Sequence, residues 1–298
     1  MEPQVRTTFE TRRPLDLYST LAPIGFGTST RIAGTEAWRA TRTPEGPATI
    51  HLSHNGGRIE VDAWGPGAAW AAAQAPALCG EHDDASGFHP QHRLIADLHR
   101  HNPGLRIPRT QAVFEALVLA VLEQKVTTIE AKAGYRALVN ALGEPAPGPR
   151  PLKVPPSADV LARTPYWTFH RFGVERRRAV VIIEAARSAK RLEETTTMDL
   201  VDAHRRLEAF PGVGPWTAAK VAVVALGDSD AVEVGDYHLP HTVGYALEGT
   251  PRSTDERMLE LLDPYRGHRA RVIRLLRISG IGAPRFGPHK PLRDIINH

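Results

Sequence analysis

Apolar and polar residues alternate over residues 49–54 and again over Arg58–Trp64, on either side of Asn55-Gly56, so that Ile50, Leu52, Ile59, Val61 and Ala63 can share one face. A period of two interrupted by a turn dipeptide is the mark of an antiparallel hairpin, and it predicts a small sheet near the N-terminus. A helix is expected to follow at 68–74. Further along, the period changes to that of a helix. Helical patterns run over 113–142, 176–192 and 255–276, and the Pro- and Gly-rich stretch 143–156 reads as a loop inside the helical part. No internal repeat is visible. The pattern therefore predicts an α+β protein, β-rich first and mainly helical afterwards.

One helical pattern ends in a chemically specific way. Leu200, Ala203, Leu207 and Phe210 recur at helical spacing until Pro211, which has no backbone N–H with which to continue. Gly212 and Gly214 supply a turn, and Ala218, Val221, Ala222 and Ala225 restart the helical period after Trp216. Glycines at a helix start leave N–H groups pointing outward and let a ligand approach the backbone, so this helix, glycine hairpin and helix can bind an anion such as a DNA phosphate. An ordinary tight turn between two core helices is the other reading. Downstream, Asp236 follows Gly235 in a partly apolar run, where an aspartate can simply cap the helix that leads towards Tyr245.

Taken together, PGVGPWTAAKV and the later VGDYHLP resemble the helix-hairpin-helix DNA glycosylase superfamily, most closely its 3-methyladenine DNA glycosylase II (AlkA-like) family. The likeness reaches upstream to the apolar helix ending Glu123-Gln124-Lys125 and covers 106–276, more than half of the chain. It implies a small N-terminal antiparallel β-sheet domain over 1–105 and a mainly α-helical glycosylase domain over 106–298. It also implies site roles. Asp236 takes the catalytic position, and Trp216 matches a base-pocket tryptophan. Tyr237, His238 and Tyr265 are further pocket candidates, with a hydrogen-bonded structural histidine the other reading of His238. Gly212, Gly214 and Thr217 match the phosphate-binding hairpin, and Gln124 and Lys125 match the segment that faces DNA. Relatives carry an apolar wedge where this chain has Lys125, which can reach a phosphate or an orphan base, or can be a solvated helix end.

The resemblance bears on reaction type. Bifunctional members place a Schiff-base lysine where this chain has Trp216, so the implied enzyme is monofunctional: it flips an alkylated base out of double-stranded DNA, hydrolyses the N-glycosidic bond and leaves an abasic site. Lys220, about one helical turn beyond Trp216, keeps open a bifunctional glycosylase/lyase, and a noncatalytic DNA-binding module is the alternative from another class.

Charge agrees with a polyanionic partner. The 298 residues carry a net charge of +4, with a pI near 9.4. Arginines crowd two helical patterns, at Arg176, Arg177 and Arg178 and at Arg266, Arg269, Arg271, Arg274 and Arg277, where each pattern is either a phosphate-facing surface or a solvated face. Cys79 is the sole cysteine, which excludes an intrachain disulfide and a four-cysteine cluster and departs from the iron–sulfur branch of the superfamily. His92, His99 and His101 fit no zinc-binding pattern, and no phosphate-loop motif occurs, so neither metal nor other cofactor is expected. The expected protein is a monomer acting on damaged duplex DNA. With no long apolar span and no charged-then-apolar leader, it is expected to be soluble and cytoplasmic.

Overall fold

In the computed structural model, which describes residues 1–25 and 27–284, five strands form one antiparallel sheet. They are β1 (Val5–Glu10), β2 (Thr30–Ala33), β3 (Glu36–Thr43), β4 (Gly46–Asn55) and β5 (Arg58–Trp64), in the order β1-β5-β4-β3-β2. The predicted hairpin is β4–β5, with its turn one residue later than the dipeptide indicated. Asn55 pairs with Arg58, and Gly56 and Gly57 make the two-residue loop with φ of +58° and +90°, the backbone that matches strand twist. Pairing sets Ile50 opposite Ala63 and Leu52 opposite Val61, so the alternating apolar set lies on one face. That face is buried with α1 (Leu17–Leu21) and α2 (Ala68–Leu78), whose alanines allow close approach to the sheet.

The remaining helices are α3 (Arg93–His101), α4 (Val113–Leu122), α5 (Thr128–Leu142), α6 (Ala158–Arg163), α7 (Arg176–Arg187), α8 (Ala189–Glu193), α9 (Leu200–Glu208), α10 (Pro215–Val221), α11 (Leu239–Glu248), α12 (Asp255–Leu262) and α13 (Arg269–Ser279). They make two apolar clusters. One gathers α4, α5, α7 and α10 around Leu117, Val121, Ile182 and Ala218; the other gathers α3 and α11 to α13 around Ile95, Val243, Met258 and Val272. Among the described residues no helix is long and apolar enough to cross a membrane.

Two patterns that read as continuous are divided, each for a local reason. Between α4 and α5, Thr127 closes a reciprocal capping box with Glu130, which starts a new helix. Between α12 and α13, Pro264 and Gly267, the latter at φ +87°, interrupt the backbone. The loop expected at 143–156 contains a two-residue antiparallel pair, β6 (Glu144–Pro145) with β7 (Lys153–Val154).

The arginine-rich faces differ from expectation. Arg178, Arg271 and Arg274 are neither solvated nor turned to a surface; each is buried. Arg178 donates to the carbonyls of Leu122 and Gly173, Arg271 grips both oxygens of Asp83 at 2.9 and 2.6 Å, and Arg274 donates to the Ser19 carbonyl. Helical periodicity cannot distinguish these arginines from exposed ones, because their partners come from distant segments. They serve as ties between elements.

Candidate active site

The hairpin begins where α9, capped by Asp199, runs into Pro211. Gly212 adopts φ +86°, and a Cβ there would collide with the Val181 side chain of α7, so both backbone and space demand glycine. Val213 turns inward and is buried. Gly214, at φ −99°, caps α10, and a Cβ added to it would meet nothing. The two glycines therefore differ: one is required by packing, whereas the other borders open space at a helix start. α10 then passes into a π-helical turn, Ala222–Leu226. The carbonyls of Val224 and Ala225 in that turn accept from the amides of Thr110 and Gln111, both at 3.0 Å, which fixes the hairpin helix against the chain entering α4.

Gln124, just after α4, secures the hairpin from the other side. Its Nε2 donates to Gly212 O at 3.0 Å and to Thr217 Oγ1 at 2.9 Å, which uses both hydrogens of the amide. Thr217 is consequently buried and engaged with Gln124. Lys125, the next residue, is exposed and holds φ +56°, an uncommon backbone for a residue with a side chain.

Trp216 and Asp236 meet directly. Gly235, at φ +89°, turns the chain so that Asp236 Oδ2 accepts from Trp216 Nε1 at 2.9 Å. The second oxygen, Oδ1, accepts from the amides of His238 and Leu239, each at 2.8 Å, and so caps α11. Helix starter and site carboxylate are one residue here. Burial works to raise the Asp236 pKa, but the indole bond, the two amides and the Arg277 charge outweigh it, leaving the carboxyl below its ordinary value and ionised at neutral pH.

A second, buried carboxylate lies close by. Glu233 is paired with Arg277 at 2.8 and 2.5 Å; burial raises its pKa, yet the charges of Arg277 and Lys220 bring it below the ordinary value. On the opposite side of Trp216, the Lys220 ammonium lies 5.0 Å from the indole centroid and forms an ion pair with Glu123. The site is thus an alternation of charges about one indole. Tyr237 is 80% exposed beside Asp236, with its ring edge-on to His238 and His241. His238 is exposed as well. Tyr265 is elsewhere, buried in the C-terminal cluster against Phe88, where burial pushes its hydroxyl pKa up.

Trp216, Asp236, Tyr237 and His238 therefore come together, and Gln124, Gly212 and Thr217 form the adjoining scaffold. Glu123, Glu233 and Arg277 were not singled out individually from sequence. A carboxylate set between valines, as in Val232-Glu233-Val234, was the available signal for a buried ion pair. The sheet followed by helices, the glycine hairpin and the carboxylate held on an indole define the fold of the helix-hairpin-helix DNA glycosylases. The chain superposes on a 3-methyladenine DNA glycosylase from Archaeoglobus fulgidus with a TM-score of 0.76 at 18% identity, over 92% of this chain and 98% of the other.

In sequence it is a homologue of proteins named for AlkA and for 3-methyladenine glycosylase. It is 36% identical over 139 residues to a probable bifunctional transcriptional activator/DNA repair enzyme AlkA of Mycobacterium tuberculosis, covering 46% of this chain and 28% of that protein. It is 26% identical over 168 residues to a DNA-3-methyladenine glycosylase of Bacillus subtilis, covering 55% of each. The chain thus spans between about a quarter and about half the length of these relatives. No family model matches it.

Proposed function

We propose that the protein is a monofunctional DNA glycosylase that removes alkylated bases from duplex DNA, with Asp236 as the catalytic carboxylate. The observation that carries this reading is the ionised Asp236 carboxylate, half-buried and held at both oxygens beside the hairpin. As a base departs, C1′ acquires positive charge, and a carboxylate fixed nearby stabilises that cation or orients the attacking water. An alkylated purine already carries positive charge and leaves readily, so it asks little of a general acid. Trp216, Tyr237 and His238 wall the pocket in this reading. Gly212, Gly214 and Lys125 face the DNA, Gln124 and Thr217 brace the hairpin behind them, and Tyr265 belongs to the core. The protein works as a monomer on cytoplasmic DNA.

Lys220 supports the monofunctional reading. A Schiff-base nucleophile needs a neutral amine, whereas Glu123 favours the ammonium form. The test is release of free base from methylated duplex DNA by the wild-type protein and by Asp236→Asn, with DNA binding and borohydride trapping followed in parallel. Release by the wild type, near-complete loss in the variant with binding retained, and no trapped adduct are expected. Binding without release by the wild type would refute the enzyme assignment, and a trapped adduct lost in Lys220→Met would replace it with a lyase.

A further inference from the structure

Trp216 carries a different charge at its edge and over its face. Its Nε1–H meets Asp236, and its ring is covered by the Lys220 ammonium, which Glu123 holds there. The ammonium has three N–H donors, and the carboxylate of Glu123 lies close enough to fix the side chain without enclosing it, for the lysine side chain remains 24% exposed. Both contacts fall on one indole, so ammonium and catalytic carboxylate are separated by no more than that ring and two contact distances. This is the scale of one nucleoside. A sugar placed at Asp236 brings its base towards Lys220.

On the glycosylase reading, we infer that Lys220, held by Glu123, stabilises the departing base, and that the site therefore takes neutral purines with an exposed ring acceptor as well as cationic alkylated ones. When a neutral base leaves, the C1′–N bond breaks with its electron pair passing to the base. The oxygen of one water bonds to C1′, one of its protons remains on the new hydroxyl, and the other ends on the base. Negative charge therefore develops on the base in the transition state, where a fixed ammonium lowers its energy. A cationic alkylated base leaves as a neutral molecule and gains nothing from that ammonium. Lys220 and Glu123 thereby act with opposite sign on the two substrate classes: the ammonium favours the neutral base, and the carboxylate favours the cation.

The test uses the full chain and two synthetic duplexes, one with a single hypoxanthine and one with a single 7-methylguanine, and measures single-turnover base release. Lys220→Met is expected to slow hypoxanthine release by roughly tenfold or more while 7-methylguanine release stays within about twofold or rises, and Lys220→Arg is expected to restore most of the loss. Glu123→Gln should move the ratio of the two rates in the opposite direction. Equal loss on both duplexes in Lys220→Met would overturn the inference, because a lysine that merely props Trp216 affects both. Should Lys220→Met fail to fold by thermal melting, Glu123→Gln decides, and a hypoxanthine to 7-methylguanine ratio that does not rise refutes the inference. Wild-type release of 7-methylguanine but not hypoxanthine removes this inference and leaves the glycosylase reading standing; release of neither removes both.

Discussion

Replacing Trp216 with phenylalanine isolates what the indole contributes to Asp236. The ring is kept, so the apolar contact of α10 changes little, but Oδ2 loses the N–H that reaches it at 2.9 Å. Oδ1 keeps the amides of His238 and Leu239, so the carboxylate stays in place with one oxygen freed. A hydrogen bond to a charged acceptor is worth about 1.5–3 kcal/mol when buried; Asp236 is only half-buried and water can replace part of the bond, so about 1–2 kcal/mol is lost, a factor of roughly 5 to 30 in rate. The pH dependence has a definite sign. Base release requires the ionised carboxylate and falls as pH drops through the depressed Asp236 pKa. The indole bond is the largest influence lowering that pKa, second in size only to the opposing effect of burial. Its removal raises the pKa, so the acid limb of the rate profile moves to higher pH. Single-turnover base release across an acid-to-neutral pH series measures both effects. A Trp216→Phe protein with the wild-type rate and an unmoved acid limb would refute the coupling of indole and carboxylate.

Two further predictions concern the scaffold. Gly212→Ala forces a Cβ onto Val181 at positive φ and should cost about 2–3 kcal/mol in urea unfolding, whereas Gly214→Ala meets open space and should cost less than about 1 kcal/mol while weakening salt-dependent DNA binding; similar stabilities would contradict the assigned roles. Arg271→Met strands the buried Asp83 carboxylate and is expected to cost about 3–5 kcal/mol, read as a drop in Tm that Asp83→Asn in the same chain partly reverses.

Local rules were enough for some of this molecule. The β4–β5 hairpin was legible because a period of two and a glycine turn act over a dozen residues, and the glycine hairpin because proline and glycine limit backbone conformation wherever they occur. Asp236 was legible through its resemblance to a known motif. Lys220 was visible as a residue, but its state was not: its partner Glu123 lies at the end of α4, almost a hundred positions away, and only the packing of α4 on α10 brings them together. The same holds for Glu233 with Arg277 and Asp83 with Arg271. A lysine or arginine on a helical pattern carries no local signal that distinguishes solvent from a buried carboxylate, so periodicity assigned those arginines to surfaces.

The double duty of Asp236 determines which substitution is informative there. Alanine would remove the charge and the two amide bonds at the start of α11 together, at a cap cost of about 1 kcal/mol, so any loss of base release would mix chemistry with a loosened loop. Asparagine keeps an acceptor oxygen that can still cap α11 and removes only the charge. Its amide nitrogen, if it takes the Oδ2 position, faces the Trp216 N–H as a second donor, a local mismatch at the indole that leaves the cap intact. Comparing Asp236→Asn with Trp216→Phe therefore separates two contributions. If catalysis rests on the charge, Asp236→Asn loses far more activity than Trp216→Phe at neutral pH while retaining the wild-type melting temperature within the cost of one hydrogen bond. If it rests on the indole contact alone, the two variants lose equally, and Asp236 is left as a helix cap.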